Sequence, residues 1–108
     1  MVVCAAAGND LYRVLQANGL KCSRFQRPAE AVAAAAEGAG VLLLAEGYPR
    51  QTTEIPAAVW EQAKAKRLRL YVEFPAALPG LEVGPPRKLG WGRGVVASDV
   101  FGPELKRL

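Results

Sequence analysis

The sequence predicts an α/β domain built on a parallel β-sheet. The first observation is a continuous apolar segment, residues 40–45, that is followed at once by Glu46, Gly47 and a nearby proline. An unbroken apolar segment of this length is typical of a strand that helices cover on both faces. The second observation is that short apolar segments alternate with helical ones along the chain, which is the order of elements in a parallel α/β sheet. With 108 residues, of which 51% are hydrophobic, the chain suits one domain.

The first strand and the first helix are predicted at the start of the chain. Residues 1–6 are apolar and predict a strand. The turn that follows contains Asn9 and Asp10, either of which can cap a helix N-terminus. Leucines four residues apart support a helix, which Gly19 ends.

The second strand and the second helix follow directly. Residues 20–26 alternate in part between apolar and polar types, which predicts a strand with inward-facing Leu20, Cys22 and Phe25. Pro28 suits the first position of a helix. This helix is predicted to run through Glu37, before the glycines that precede the third strand.

The second half of the chain repeats the alternation. The third strand is predicted at residues 41–46, and a polar loop at residues 48–54 follows it. A helix is predicted to start at Ile55-Pro56 and to carry on one face Val59, Trp60 and Ala63. The fourth strand is predicted at residues 68–75.

The last third of the chain is rich in glycine and proline. A short fifth strand is predicted at residues 95–98, and the first turns of a helix at residues 103–108. That final helix would be cut off by the chain end, so the sequence is expected to be an N-terminal fragment of a longer protein, with residues 1–108 forming one domain.

Right-handed crossovers give the predicted elements one favoured arrangement. It is a flavodoxin-like three-layer α/β sandwich with a parallel sheet of four or five strands in the order 2-1-3-4, with the fifth at the edge. In such a sheet the ligand site lies beyond the carboxyl ends of the strands, where the strand order reverses. Here that point lies between the first and third strands.

The net positive charge of the chain is small and does not indicate a particular partner. The net charge is +4, and the basic residues are concentrated at residues 64–69 and in Arg87, Lys88 and Arg93. The first cluster is compatible with an anionic partner or with the last turn of a helix, where cations complement the helix dipole. Neither a recognition helix nor a series of stacking aromatics accompanies it, so no nucleic-acid partner is expected.

Neither a membrane nor a metal cofactor is expected from the sequence. No apolar stretch reaches eighteen residues, and no signal peptide is recognised, so a cytoplasmic location is the default expectation. The chain contains no histidine, which removes the commonest general base and transition-metal ligand. No cofactor is predicted, and the chain is more consistent with a binding protein than with an enzyme.

Four side chains are predicted to line a ligand site at the strand ends. They are Asn9, Glu46, Tyr48 and Glu73. Glu46 and Glu73 could form an acid/base pair or hold a cation. Alternatively, each accepts hydrogen bonds from a loop or a helix N-terminus, or pairs with Arg50. Trp91, within a glycine-rich loop, is a fifth candidate that could stack on a sugar or a partner protein together with Tyr48, or could fill the core.

Two further features allow a functional and a structural interpretation. The turn that contains Gly8 and Asn9 could present backbone N–H groups to an anion, or could be an ordinary capped turn. Cys4 could be a nucleophile that the first helix activates, or a small buried hydrophobic residue. A disulfide between Cys4 and Cys22 is not expected, because these positions fall toward opposite ends of neighbouring strands.

Three segments of the chain carry a resemblance to a known family: Val41-Leu42-Leu43-Leu44-Ala45-Glu46-Gly47-Tyr48, Leu70-Tyr71-Val72-Glu73-Phe74-Pro75 and Arg93-Gly94-Val95-Val96-Ala97-Ser98-Asp99. With these segments, the whole layout of residues 1–105 resembles the class I glutamine amidotransferase-like superfamily, specifically its members related to trehalose-utilisation proteins and to the trimerisation domain of β-galactosidases. In active members the strand that matches residues 70–72 leads to a cysteine nucleophile, and a His-x-Glu pair follows later. Neither is present here. The resemblance therefore implies a non-catalytic domain that binds a small ligand, such as a carbohydrate, or an adjacent domain of a carbohydrate-active protein.

Two alternative functions remain open from the sequence. Residues 2–8 resemble the start of a phosphotransferase-system IIB component of the lactose/cellobiose type, in which a cysteine at the end of the first strand carries a phosphoryl group. That resemblance assigns the role to Cys4, but Asn9 and Asp10 replace the hydroxyl-rich loop of that family. The second alternative is an oligomerisation module, in which a face around Tyr48 and Trp91 assembles the chain into a homo-oligomer.

Overall fold

A four-stranded parallel sheet organises the structure. The computed structural model describes residues 1–88 and residue 90. The strands are β1 (Val2–Cys4), β2 (Ser23–Phe25), β3 (Gly40–Leu43) and β4 (Arg69–Val72), and the helices are α1 (Asp10–Ala17), α2 (Pro28–Ala34) and α3 (Ala57–Ala65). The strand order is β2-β1-β3-β4, and each neighbouring pair is parallel. The predicted α/β, flavodoxin-like arrangement is therefore confirmed. Trp91 and the strand and helix predicted at residues 95–98 and 103–108 lie outside the described residues.

The main core lies between the sheet and helix α2, and helix α3 packs beside it against Val32 of α2 and Leu70 of β4. On this face of the sheet Val41 and Leu43 of β3 are fully buried, and they pack with Val2 and Cys4 of β1. Ala31 of α2 and Ala35, which directly follows the helix, complete the cluster. Their small side chains let the helix lie close to the sheet.

A second, smaller cluster lies on the opposite face, beneath α1. It combines Val3 and Ala5 with Leu44 and with Tyr12 of α1. Since successive side chains of a strand point to opposite faces, Val3 lies beneath α1 while Val2 and Cys4 lie beneath α2. The sheet is therefore the middle layer of three.

The ends of the helices follow the predicted signals. The Oδ1 atom of Asn9 accepts a hydrogen bond of 3.0 Å from the backbone N–H of Tyr12, which makes Asn9 the N-cap of α1. Gly19 follows this helix with a φ of +74°, a conformation that suits glycine. Pro28 begins α2 as predicted.

Several predicted details are wrong. The second strand is limited to Ser23–Phe25, and Leu20 is 51% exposed rather than inward-facing. Helix α2 ends at Ala34 rather than at Glu37, because the backbone of Ala35 is extended. The fourth strand is also shorter than predicted.

The strand predicted from residues 41–46 was expected to be buried on both faces, but it is fully buried on one face only. In β3 one face is buried and the other is half-buried. In β4 half-buried and exposed residues alternate, and Tyr71 is 53% exposed. The difference arises because, among the described residues, β4 pairs with a strand on one side only, and α1 packs over the other half of the sheet.

Candidate functional site

A cleft opens at the carboxyl ends of β1 and β3, where the strand order reverses. Its volume is about 230 Å³. The parallel register places Cys4 beside Leu43, and the two residues lie at the base of the cleft. The cleft is lined by Cys4, Gln26, Pro28, Leu43, Leu44, Glu46, Gly47, Gln51, Thr52, Thr53 and Glu54. It therefore combines an apolar base with a polar rim, in the place where open α/β sheets bind ligands.

The loop after β3 forms most of the rim, and hydrogen bonds fix its shape. The backbone N–H groups of Arg50 and Gln51 donate to the carbonyl of Gly47, at 2.7 and 2.9 Å. An added Cβ at Gly47 would lie 2.7 Å from the Cβ of Gln51, so this close approach requires glycine. The loop is thus a tight turn rather than an extended connection.

The same loop is bound to the end of β4. The N–H of Thr53 donates to the carbonyl of Phe74 at 2.8 Å, and the N–H of Ala76 donates to the carbonyl of Thr53 at 3.0 Å. The Thr53 hydroxyl also donates to the carbonyl of Glu73 at 2.7 Å. These bonds hold residues 52–54 over the carboxyl edge of the sheet, so the rim is preformed.

Cys4 is a buried thiol rather than an exposed nucleophile. Its side chain is 5% exposed, and burial raises its pKa to about 11, with additional contributions from the negative charges of Glu46 and Glu30. A reactive cysteine requires the opposite environment, one that stabilises the thiolate. The geometry therefore favours the structural interpretation of Cys4. Cys4 and Cys22 are both free thiols.

Glu46 is the predicted site residue that the structure brings to the cleft. Its side chain is on the rim, and Glu54 lies on the same rim. The ion pairs among the described residues are Arg27 with Glu30 and Arg67 with Glu37, so neither rim carboxylate is neutralised by a described cation. The cleft consequently carries negative charge.

Glu73 lies on the same edge of the sheet but turns to the backbone. Its carboxylate accepts a hydrogen bond of 2.9 Å from the N–H of Ala45. This bond connects the end of β4 to the end of β3. Glu73 therefore accepts a backbone hydrogen bond, as in the structural interpretation of this residue. It does not line the cleft with Glu46.

Asn9 and Tyr48 also lie at the carboxyl edge without lining the cleft. The Asn9 side chain caps α1, as described above. Tyr48 is 66% exposed, and its ring meets the ring of Phe74 edge to face, with centroids 5.2 Å apart. Trp91, the remaining candidate, lies outside the described residues.

Sequence reasoning missed most of the polar rim. The predicted candidates do not include five residues that line the cleft: Gln26, Gln51, Thr52, Thr53 and Glu54. One signal was available, because residues 48–54 form a polar loop directly after the third strand and at the predicted point of strand-order reversal.

No protein-family model, curated protein or solved structure matches this chain. In the part of the chain that the structure describes, no helix has the length and apolar character needed to cross a membrane. That same part contains no group of three or more side chains suited to hold a metal ion.

Proposed function

We propose that this chain binds a small hydroxyl-bearing molecule in the cleft and does not react with it covalently. The observation that carries this proposal is the position of a preformed, polar-rimmed cleft at the reversal of strand order. The side-chain amides and hydroxyls of the rim can both donate and accept hydrogen bonds, as ligand hydroxyls require. A volume of about 230 Å³ suits a ligand smaller than a typical drug.

The resemblance to non-catalytic amidotransferase-like domains remains part of this proposal. Its support is the strand order β2-β1-β3-β4, together with the absence of a cysteine where active members carry their nucleophile. Binding of an adjacent domain of a carbohydrate-active protein is the other form of the same hypothesis.

The phosphocarrier alternative has less support. It requires a thiolate at Cys4, whose pKa burial raises to about 11. It also places a phosphoryl group beside the carboxylate of Glu46, which would repel it. The oligomerisation alternative has support in the exposed ring of Tyr48, and native mass spectrometry would test it directly.

The cleft can be tested by titrating the full chain with monosaccharides and linear polyols while recording backbone amide NMR spectra. We expect shifts concentrated at residues 43–47 and 51–54. Gly47→Ala should weaken binding by about fivefold or more, because the added Cβ displaces Gln51 and deforms the rim.

Gly8→Ala is the matched control, because a Cβ at Gly8 would meet no atom within 4 Å. It should leave binding unchanged. If no compound of the panel shifts the cleft residues, or if Gly8→Ala and Gly47→Ala weaken binding equally, the proposal fails.

A further inference from the structure

The charge of the cleft restricts the class of ligand, provided that the proposed binding function holds. Two carboxylates, Glu46 and Glu54, lie on the rim, and the described lining contains neither lysine nor arginine. Arg27, the N-cap residue of α2, is engaged with Glu30 at a distance of 2.9 Å from its Nε atom. Among the described residues, Arg50 on the loop after β3 forms no ion pair with either rim carboxylate. Charge complementarity therefore opposes an anionic ligand in this cleft.

The negative field reaches the base of the cleft as well as the rim. Burial is the main cause of the raised pKa of the Cys4 thiol, and the charges of Glu46 and Glu30 add to it. Cys4 lies at the base of the cleft, beside Leu43. A ligand between the rim and the base would thus lie close to the Glu46 carboxylate, whose attraction for a cation is moderated by solvent because Glu46 is exposed.

We infer that the cleft selects a small hydroxylated ligand that carries a cationic amine over its neutral and anionic counterparts. The ligand hydroxyls form hydrogen bonds with the Gln51 amide and the Thr52 hydroxyl, and the ammonium group binds the Glu46 carboxylate, all three of which line the cleft. A charge-assisted hydrogen bond to a carboxylate is stronger than a neutral one, so the amine supplies the selectivity.

Three probes of one ring size test this inference: glucosamine, glucose and glucose 6-phosphate. Each is titrated into the full chain at neutral pH and low salt, with amide NMR as the readout. We expect glucosamine to bind about tenfold more tightly than glucose and glucose 6-phosphate to bind more weakly than either. The preference for glucosamine should shrink in high salt, because the rim is open to solvent.

Glu46→Gln keeps the shape of the side chain and removes its charge. It should reduce the preference for glucosamine over glucose severalfold, while the affinity for glucose changes little. The matched control is Glu61→Gln, since Glu61 is an exposed residue of α3 that does not line the cleft. It should leave the preference intact.

The outcomes separate this inference from the proposed function. Equal binding of glucose and glucosamine in the cleft overturns the selectivity and leaves the binding function standing. If Glu46→Gln keeps the full preference for glucosamine over glucose, the inferred selectivity is overturned as well. If none of the three probes shifts residues 43–47 and 51–54, the proposed function falls and the selectivity falls with it.

Discussion

At the scale of single residues, burial decides what Cys4 does. The sequence allowed a nucleophile or a core residue, since a cysteine near the end of a central strand suits both. In the structure its side chain packs against β3 and α2, and the neutral thiol is favoured over the thiolate. The residue thus contributes apolar contact and gives the cleft an uncharged base.

This environment predicts a loss of stability in alkaline solution. The folded-state pKa of about 11 lies above the ordinary value of 9.0, so folding favours the protonated thiol. The stabilisation is complete below pH 9 and declines as the pH rises from 9 to 11, by about 2 to 3 kcal/mol in total.

The measurement is urea denaturation at several pH values between 8 and 11. Cys4→Ala should remove this part of the alkaline decline, whereas Cys22→Ala should retain it, because Cys22 is half-buried on the other face. If the free energy of unfolding falls equally with pH in the unmodified chain and in Cys4→Ala, the alkaline loss of stability does not come from Cys4.

At the scale of elements, one lysine connects two helices. The Nζ atom of Lys66, just after α3, donates to the carbonyls of Val32, Ala33 and Ala35, at 3.1, 2.6 and 2.8 Å. These carbonyls lie at the end of α2, which carries no basic residue in its own last turn. Part of the basic cluster predicted from the sequence therefore stabilises the C-terminus of a neighbouring helix.

Lys66→Met should lower the free energy of unfolding by about 1.5 to 2 kcal/mol, because it leaves these partly buried carbonyls without their charged donor. Lys64→Met should cost less than about 0.5 kcal/mol, since Lys64 is an exposed residue of α3. Urea denaturation of the two variants checks the comparison. Equal costs would show that Lys66 acts through general charge rather than through the cap.

At the scale of the whole molecule, the two faces of the sheet are unequally covered. Val41 and Leu43 of β3 are fully buried on the face that α2 covers, and α3 packs beside α2 against Leu70 of β4. On the opposite face of β3, Leu42 is half-buried. Stability should therefore depend more on the face beneath α2 and α3.

Two adjacent leucines test this asymmetry with the same chemical change. Leu43→Ala should cost about 3 kcal/mol, since Leu43 is fully buried and its removal leaves a cavity. Leu42→Ala should cost about 1 kcal/mol, because its site is half-buried and can collapse or hydrate. Comparable costs by urea denaturation would mean that the face beneath α1 is as well packed as the other.

The sequence by itself determined the layers, the strand order and the place of the cleft. These follow from local signals, namely the alternation of strand and helix segments, the helix starts marked by Asn9 and Pro28, and the fixed hand of crossover connections. Strand lengths were less accurate, because an apolar pattern does not reveal where hydrogen-bonded pairing stops.

Only the tertiary structure decided which side chains line the cleft. Residues 51–54 form the rim because the loop is bound to the end of β4, through the hydrogen bond from the Thr53 hydroxyl to the Glu73 carbonyl twenty residues away. The Glu73 carboxylate instead accepts a hydrogen bond from the N–H of Ala45, twenty-eight residues away in the sequence, and so does not line the cleft. Hydrogen bonds between residues so far apart in the sequence depend on how neighbouring strands align. The pattern of residue types along one strand does not predict them.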